Sequence, residues 1–204
     1  MGPSARETQE HESKMNAAEA EKVVHIVESV LDAGCTAEDL GIVTPYMAQV
    51  RLLRTSWRNR CKERGAKWNA SRISRALEIA SVDNFQGREK ELIVFSAVRN
   101  NSAGRVGFLA DWRRLNVMLT RARRGLVVVG HGQTLQKDPY WSKWLRWCAD
   151  HRVIVDKQAW HDIVRAAKRT AANQHAKSLI HRLFEFEQVQ GCRARKGHLH
   201  MLSR

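Results

Sequence analysis

The sequence predicts a doubly wound α/β domain on a mostly parallel sheet, with a basic helical C-terminal extension. Three observations predict it. Short apolar runs without polar alternation, at Leu40–Thr44, Leu92–Val98 and Leu126–Val129, read as strands covered on both faces. Segments of helical period lie between them, the pattern of a βα alternation. The chain has 204 residues, 43% of them hydrophobic and 27% charged, which suits one ordinary core plus an appendage. The expected organisation is a disordered segment over 1–15, a domain over 16–156, and a basic extension over 157–204 with a frayed end.

Each element has its own signal. Asn16 is placed to cap a helix over 17–33, with Glu19 in capping-box position and Val23, Val27, Val30 and Leu31 on one face. Gly34 is a C′ stop. Leu40–Thr44 is a strand halted by Pro45. Val50, Leu53, Trp57 and Cys61 recur at helical spacing through 47–64, ending at Gly65. Polar residues 67–75 read as a loop. A strand over 77–82, a turn over 83–87 and the strand 92–98 follow. Beyond a loop over 100–107, a short helix covers 111–119 and a strand 126–129. Asp138-Pro139 opens a helix to 149, whose Trp141, Trp144 and Trp147 suit core packing better than a base-stacking platform. Val153-Ile154-Val155 reads as a last short strand. Helical period is weak over 157–190.

The charge is large and uneven. The formal net charge is +14, which points to a polyanionic partner, most simply nucleic acid. Residues 1–40 carry 3 basic and 9 acidic groups, whereas 41–151 carry 21 and 8. Nine basic residues against Glu63 alone fill Arg51–Arg75; they read as a phosphate-tracking surface or as a solvated helix face. No apolar run reaches the ~18 residues of a membrane span, and no membrane partner is expected. The N-terminus has no secretory apolar stretch. The four cysteines form no CxxC pair, so reduced thiols in a cytoplasmic or nuclear setting are expected. Cys192, His198 and His200, with His181, fit no standard finger spacing, and no metal site is expected.

Three segments carry chemistry. The first is Leu40-Gly41-Ile42-Val43-Thr44-Pro45-Tyr46-Met47-Ala48-Gln49. The second runs from Ile79 to Arg99 through Ser81-Val82-Asp83-Asn84-Phe85-Gln86-Gly87-Arg88-Glu89. The third is Gly107-Phe108-Leu109, continuing through Arg113-Arg114-Leu115-Asn116-Val117-Met118-Leu119-Thr120-Arg121-Ala122-Arg123. In this order and spacing they resemble the C-terminal motifs of superfamily 1 helicases of the up-frameshift/senataxin type. The second resembles motif V and the third motif VI. Asn16-Ala17-Ala18-Glu19-Ala20 also resembles the helix before the family's Thr-Pro-Tyr segment. The resemblance covers roughly residues 13–156 and implies the second RecA-like domain of such a helicase.

It also implies roles. ATP with Mg2+ would lie in a cleft between this domain and a first RecA-like domain. Arg121 would be the arginine finger, although an arginine at a helix end can instead pair with a carboxylate. Gly87 would allow close approach of the nucleotide, and Glu89 would accept from the ribose hydroxyls. The alternative for Glu89 is a carboxylate at a helix N-terminus. Thr44, Pro45, Ser81 and Asn84, with Arg99 and Asn100 past the next strand, would meet single-stranded RNA or DNA through its backbone.

A phosphate-binding loop needs GxxxxGK[ST], and this sequence contains no Gly-Lys pair. No acidic Walker B segment is found, nor are the family's glutamine and Gln-Tyr-Arg motifs. The expectation is therefore a half-core, ATPase-competent only when a first RecA-like domain completes it. The alternative is a non-catalytic nucleic-acid- or partner-binding module derived from a helicase. RNA and DNA are not distinguished.

Overall fold

A computed structural model describes residues 6–65 and 70–171. A two-stranded antiparallel hairpin, β1 (Thr8–Glu10) and β2 (Ser13–Met15), precedes helix α1 (Ala17–Asp32). Then come β3 (Leu40–Thr44), α2 (Met47–Arg64), α3 (Ala70–Ala76), β4 (Glu78–Ser81) and β5 (Lys90–Ser96). They are followed by α4 (Trp112–Thr120), β6 (Ala122–Val129), α5 (Gly132–Leu135), α6 (Pro139–Asp150) and α7 (Lys157–Ala171).

The main sheet has four strands in the order β4-β3-β5-β6, and every pairing is parallel. Its two faces are both buried, as the unalternated apolar runs predicted. Ile42, Leu92 and Val94 face α1 and α2, where Val23, Val27, Leu53 and Trp57 complete one core. Val43, Ile93 and Phe95 face the other way, toward Leu115, Met118, Leu135 and Trp141 of α4, α5 and α6. The sheet is therefore doubly wound. Gly41 lies where a Cβ would sit 2.9 Å from Ile93 Cδ1 and 3.1 Å from the Phe85 ring, so a side chain there would crowd β5 and the turn after β4. Helix α7 begins the extension and packs Trp160, Ile163 and Val164 onto the first core. Residues 172–204, including the end expected to fray and the Cys192, His198 and His200 group with His181, lie outside the described residues.

Four expectations change. Residues 8–15, read as disordered, form the hairpin, because its polar residues are tied to the domain rather than buried by apolar area. Ser13 Oγ accepts from the Ala48 N–H at 3.0 Å, and Arg51 pairs with Glu10 at 2.8 Å. Residues 70–76, read as loop, form α3, whose Ile73 packs on the core. Val153-Ile154-Val155 is not a strand: no edge receives it, and Ile154 is 61% exposed. Of the three tryptophans, Trp141 is fully buried and Trp144 packs edge-on against it, but Trp147 is 42% exposed and stacks on His151.

The capping box is also only half formed. Asn16 Oδ1 accepts from the Glu19 N–H at 3.0 Å, as expected. The Asn16 N–H, however, donates to Gln49 Oε1 at 2.8 Å. This frees the Glu19 carboxyl to turn inward, where it accepts from Ser96 Oγ at 2.9 Å and from the Val98 N–H at 2.7 Å. Val98 holds φ +70, an outlier for a β-branched residue. Asn16 Nδ2 donates to the Val98 carbonyl at 3.1 Å, so both polar groups of the strained peptide are held from α1's first turn.

Candidate nucleotide and nucleic-acid surfaces

The parallel register sorts the candidate residues to opposite ends of the sheet. Thr44 and Ser81 end β3 and β4 side by side, and Arg99 and Asn100 follow β5 at the same carboxyl end. Gly87 and Glu89 instead lead into the amino end of β5. Arg121 immediately precedes β6 there, where Lys90 pairs with Ala122. The turn expected after the strand 77–82 is longer than its 83–87 span: residues 82–89 carry the chain from the carboxyl end of β4 to the amino end of β5, so Gly87 and Glu89 do not sit where the preceding strand ends.

At the amino end the two segments touch. The Lys90 N–H donates to the Arg121 carbonyl at 3.1 Å, and Arg123 Nε donates to Glu89 Oε2 at 3.1 Å. Glu89 enters a strand, which removes the helix-terminal alternative for it. Gly87 has φ +76 with nothing within 4 Å of the Cβ position, leaving its backbone open to a close ligand. Arg121 is the C-cap of α4. Its Nη2 donates to Thr120 Oγ1 at 3.0 Å, its buried Nε has no hydrogen-bond partner, and among the described residues it makes no ion pair. A guanidinium with an unspent donor, an open glycine and a carboxylate acceptor, gathered at one end of the sheet, are groups of the kind that nucleotide phosphate and ribose need.

The carboxyl end is more mixed. The Thr44 side chain is buried with Oγ1 unpartnered, Pro45 is half-buried, and Ser81 Oγ accepts from the N–H of exposed Asn84 at 3.3 Å. Arg99 and Asn100 are buried and turned inward. Glu7 Oε2 accepts from Arg99 Nε (3.0 Å), the Asn100 N–H (2.7 Å) and Asn101 Nδ2 (3.1 Å). Burial pushes the Glu7 carboxyl up, but these donors outweigh it and hold it below its ordinary value. Arg99 Nη1 donates to the Tyr46 hydroxyl at 3.2 Å. Its charge is neutralised inside the domain.

Gly107 packs directly on this strut. It has φ +57, and a Cβ there would lie 2.2 Å from Arg99 Nη1. Gly107→Ala is expected to lower the unfolding midpoint, at a cost of about 1–3 kcal/mol from left-handed strain and overpacking together. Thermal melts of the two proteins check this; an unchanged midpoint would show that the strut yields freely.

The dense basic stretch is largely spent on structure. Arg60 and Arg64 both pair with buried Glu28, and Arg64 also reaches Asp32 at 3.0 Å. Arg54 Nη2 donates to the Ile79 carbonyl at 2.7 Å. Sequence reading missed the aromatic corner of Tyr46 and Phe108 at the carboxyl end. Among the described residues no helix is long and apolar enough to cross a membrane.

A four-stranded parallel sheet wound on both faces by helices is the α/β fold of a RecA-like domain. Residues 2–133 match the family described as AAA domain, and the chain belongs to that family, among the up-frameshift-like superfamily 1 helicases. The chain is 42% identical over 144 residues to the regulator of nonsense transcripts 1 homolog of Drosophila melanogaster, covering 71% of this chain and 12% of the relative. It is 40% identical over 149 residues to the DNA polymerase alpha-associated DNA helicase A of Schizosaccharomyces pombe, covering 72% and 21%. With DNA-binding protein SMUBP-2 of Rattus norvegicus the identity is 38% over 145 residues, covering 71% and 13%. The chain thus spans between about an eighth and a fifth of the length of these curated relatives.

Proposed function

We propose that this chain is the second motor module of an ATP-dependent helicase, completed by a first RecA-like domain. The observation that carries this is the amino end of the sheet, where the bond from the Lys90 N–H to the Arg121 carbonyl joins Arg121, its Nε unpartnered, to the strand that the open Gly87–Glu89 segment leads into. Arg121 acts as the finger: its fixed guanidinium meets charge that builds as the terminal phosphoryl group leaves. Glu89 accepts from the ribose hydroxyls, and Arg123 holds its carboxylate in place. Gly87 lets the backbone approach. ATP with Mg2+, bound in the completed cleft, supplies the free energy for movement along the strand.

The single strand of RNA or DNA runs over the opposite, carboxyl end. There Pro45 and exposed Asn84 meet its backbone, with Thr44 and Ser81 buried behind them at the strand ends. Arg99 and Asn100 belong to this surface as well, but they brace it from beneath. The working compartment is the cytoplasm or nucleus. The net charge of +14 also favours a second reading, a non-catalytic nucleic-acid-binding module.

The test is ATP turnover by the chain alone and with a first RecA-like domain bearing a phosphate-binding loop. The chain alone is expected to show negligible turnover, and the completed pair turnover stimulated by a single strand. Robust turnover by the chain alone would overturn the proposal. Salt-sensitive strand binding without any turnover in the completed pair would move the conclusion to the non-catalytic module.

A further inference from the structure

Phe108 is the most exposed aromatic ring among the described residues, at 53%. It belongs to no core. It stands at the carboxyl end of the sheet, where α/β folds place ligands. It borders an open groove of about 450 Å³ with Tyr46, Arg99, Gly107, Arg114 and Lys14.

Everything beneath the ring is fixed. Val106 and Leu109 on either side of Gly107-Phe108 are buried, and Trp141 Nε1 donates to the Leu109 carbonyl at 2.9 Å. Tyr46 meets the Phe108 ring edge-to-face at 5.8 Å, and its hydroxyl is tied to Arg99. The Arg114 guanidinium lies 4.9 Å from the ring centroid and is itself paired with Asp83 at 3.4 Å. An exposed ring on a rigid turn loses area to water with nothing inside the domain to repay it.

The surrounding charge says what covers it. At this corner Arg99 and Arg114 are paired with Glu7 and Asp83, and Glu12 and Asp111 also line the groove, which leaves Arg105 and Arg113 as the cations open to a partner. Arg105 and Arg113 flank Phe108, are exposed, and make no ion pair among the described residues. An exposed aromatic face on a segment that also carries free guanidinium groups complements a polyanion that carries flat apolar faces.

We infer that Phe108 is a stacking platform for an unpaired nucleobase of the single strand, with Arg105 and Arg113 meeting the adjacent phosphates. The Glu7–Arg99 pair, through Tyr46, is the buttress that holds the platform. The inference rests on the strand-binding reading above and adds a base contact to it. It also explains why Arg99 is neutralised: a buttress needs geometry, not net charge.

The test uses the full 204-residue chain and fluorescein-labelled 12-mers of single-stranded RNA and DNA, each also made with abasic sites. Binding is read by anisotropy. The wild-type chain is expected to prefer the base-bearing strand by roughly five- to a hundredfold, the effect of one stacked base. Phe108→Ala is expected to lose that preference while keeping the wild-type salt slope, because no charge is removed. Phe108→Tyr is expected to retain it.

If Phe108→Ala keeps the full preference for bases, the platform is overturned and strand binding stands. Equal binding of base-bearing and abasic strands by the wild-type chain also overturns it. If the wild-type chain binds neither strand even at low salt, the strand-binding reading falls, and the platform with it.

Discussion

Arg121→Ala, in the chain completed by a first RecA-like domain, is expected to lower kcat for ATP by about 10³–10⁵-fold with little change in KM. The reasoning is geometric. A finger acts on charge that develops only in the transition state, so its loss is felt in turnover and not in ground-state binding. Arg121→Lys is expected to recover only a small part, since an ammonium cannot reproduce the planar fork. Single-strand affinity is expected to stay at the wild-type level, because Arg121 lies at the amino end of β6 and the strand surface at the carboxyl end. Steady-state ATPase assays with a parallel strand-binding titration check both halves. A tenfold or smaller loss of kcat would remove Arg121 from the reaction.

The second large effect concerns Glu19. Burial raises its pKa from 4.5 to about 7, against lowering contributions from the Val98 N–H, Ser96 and Lys22, and Glu7 adds to the rise. The folded state therefore keeps a proton that the unfolded chain has already released between pH 4.5 and about 7. Stability from this residue falls as pH rises through that window, in total on the order of 3 kcal/mol, and stays low above it.

Glu19→Gln mimics the protonated form. It keeps an acceptor for Ser96 and Val98, so it is expected to flatten that slope and to match or exceed wild-type stability at pH 8. Glu19→Ala strands the Val98 N–H and leaves φ +70 unsupported; a loss of about 3–5 kcal/mol is expected. Urea unfolding of the three proteins at pH 5 and pH 8 decides this. A wild-type curve no steeper with pH than that of Glu19→Gln would show that Glu19 is already ionised in the fold.

Much of the fold is legible in the sequence for one reason: a buried parallel strand cannot alternate. Leu-Ile-Val-Phe in β5 sends Leu92 and Val94 to one core and Ile93 and Phe95 to the other. The run therefore declares both the strand and the helices that cover it. Val153-Ile154-Val155 has the same composition but no strand beside it, and composition cannot show whether an edge is available. The β1–β2 hairpin was hidden for the opposite reason. Its stability comes from a few long-range polar bonds, and polar residues carry no periodicity.

The candidate site divides in the same way. Gly87, Glu89 and Arg121 stand out because they fall within the segments that resemble the helicase motifs, and the structure brings them to one end of the sheet. Arg99 looked like a phosphate ligand because a sequence shows its charge and not its partner. That partner, Glu7, lies 92 positions earlier. Phe108 was passed over because nothing in Gly-Phe-Leu separates the exposed ring from buried Leu109.

The bond between the Glu19 carboxyl and the Val98 N–H joins residues 79 positions apart. A contact at that separation forms only after the intervening chain has closed into a loop, and the entropy of that closure delays it. Helix α1 can form early from its own cap and apolar face. The unfavourable φ of Val98 has no local support and waits for α1 to dock. The end of β5, and the Arg99-to-Phe108 corner that hangs from it, is then expected to mature late. During refolding, the core is expected to form before the proposed strand-binding end does.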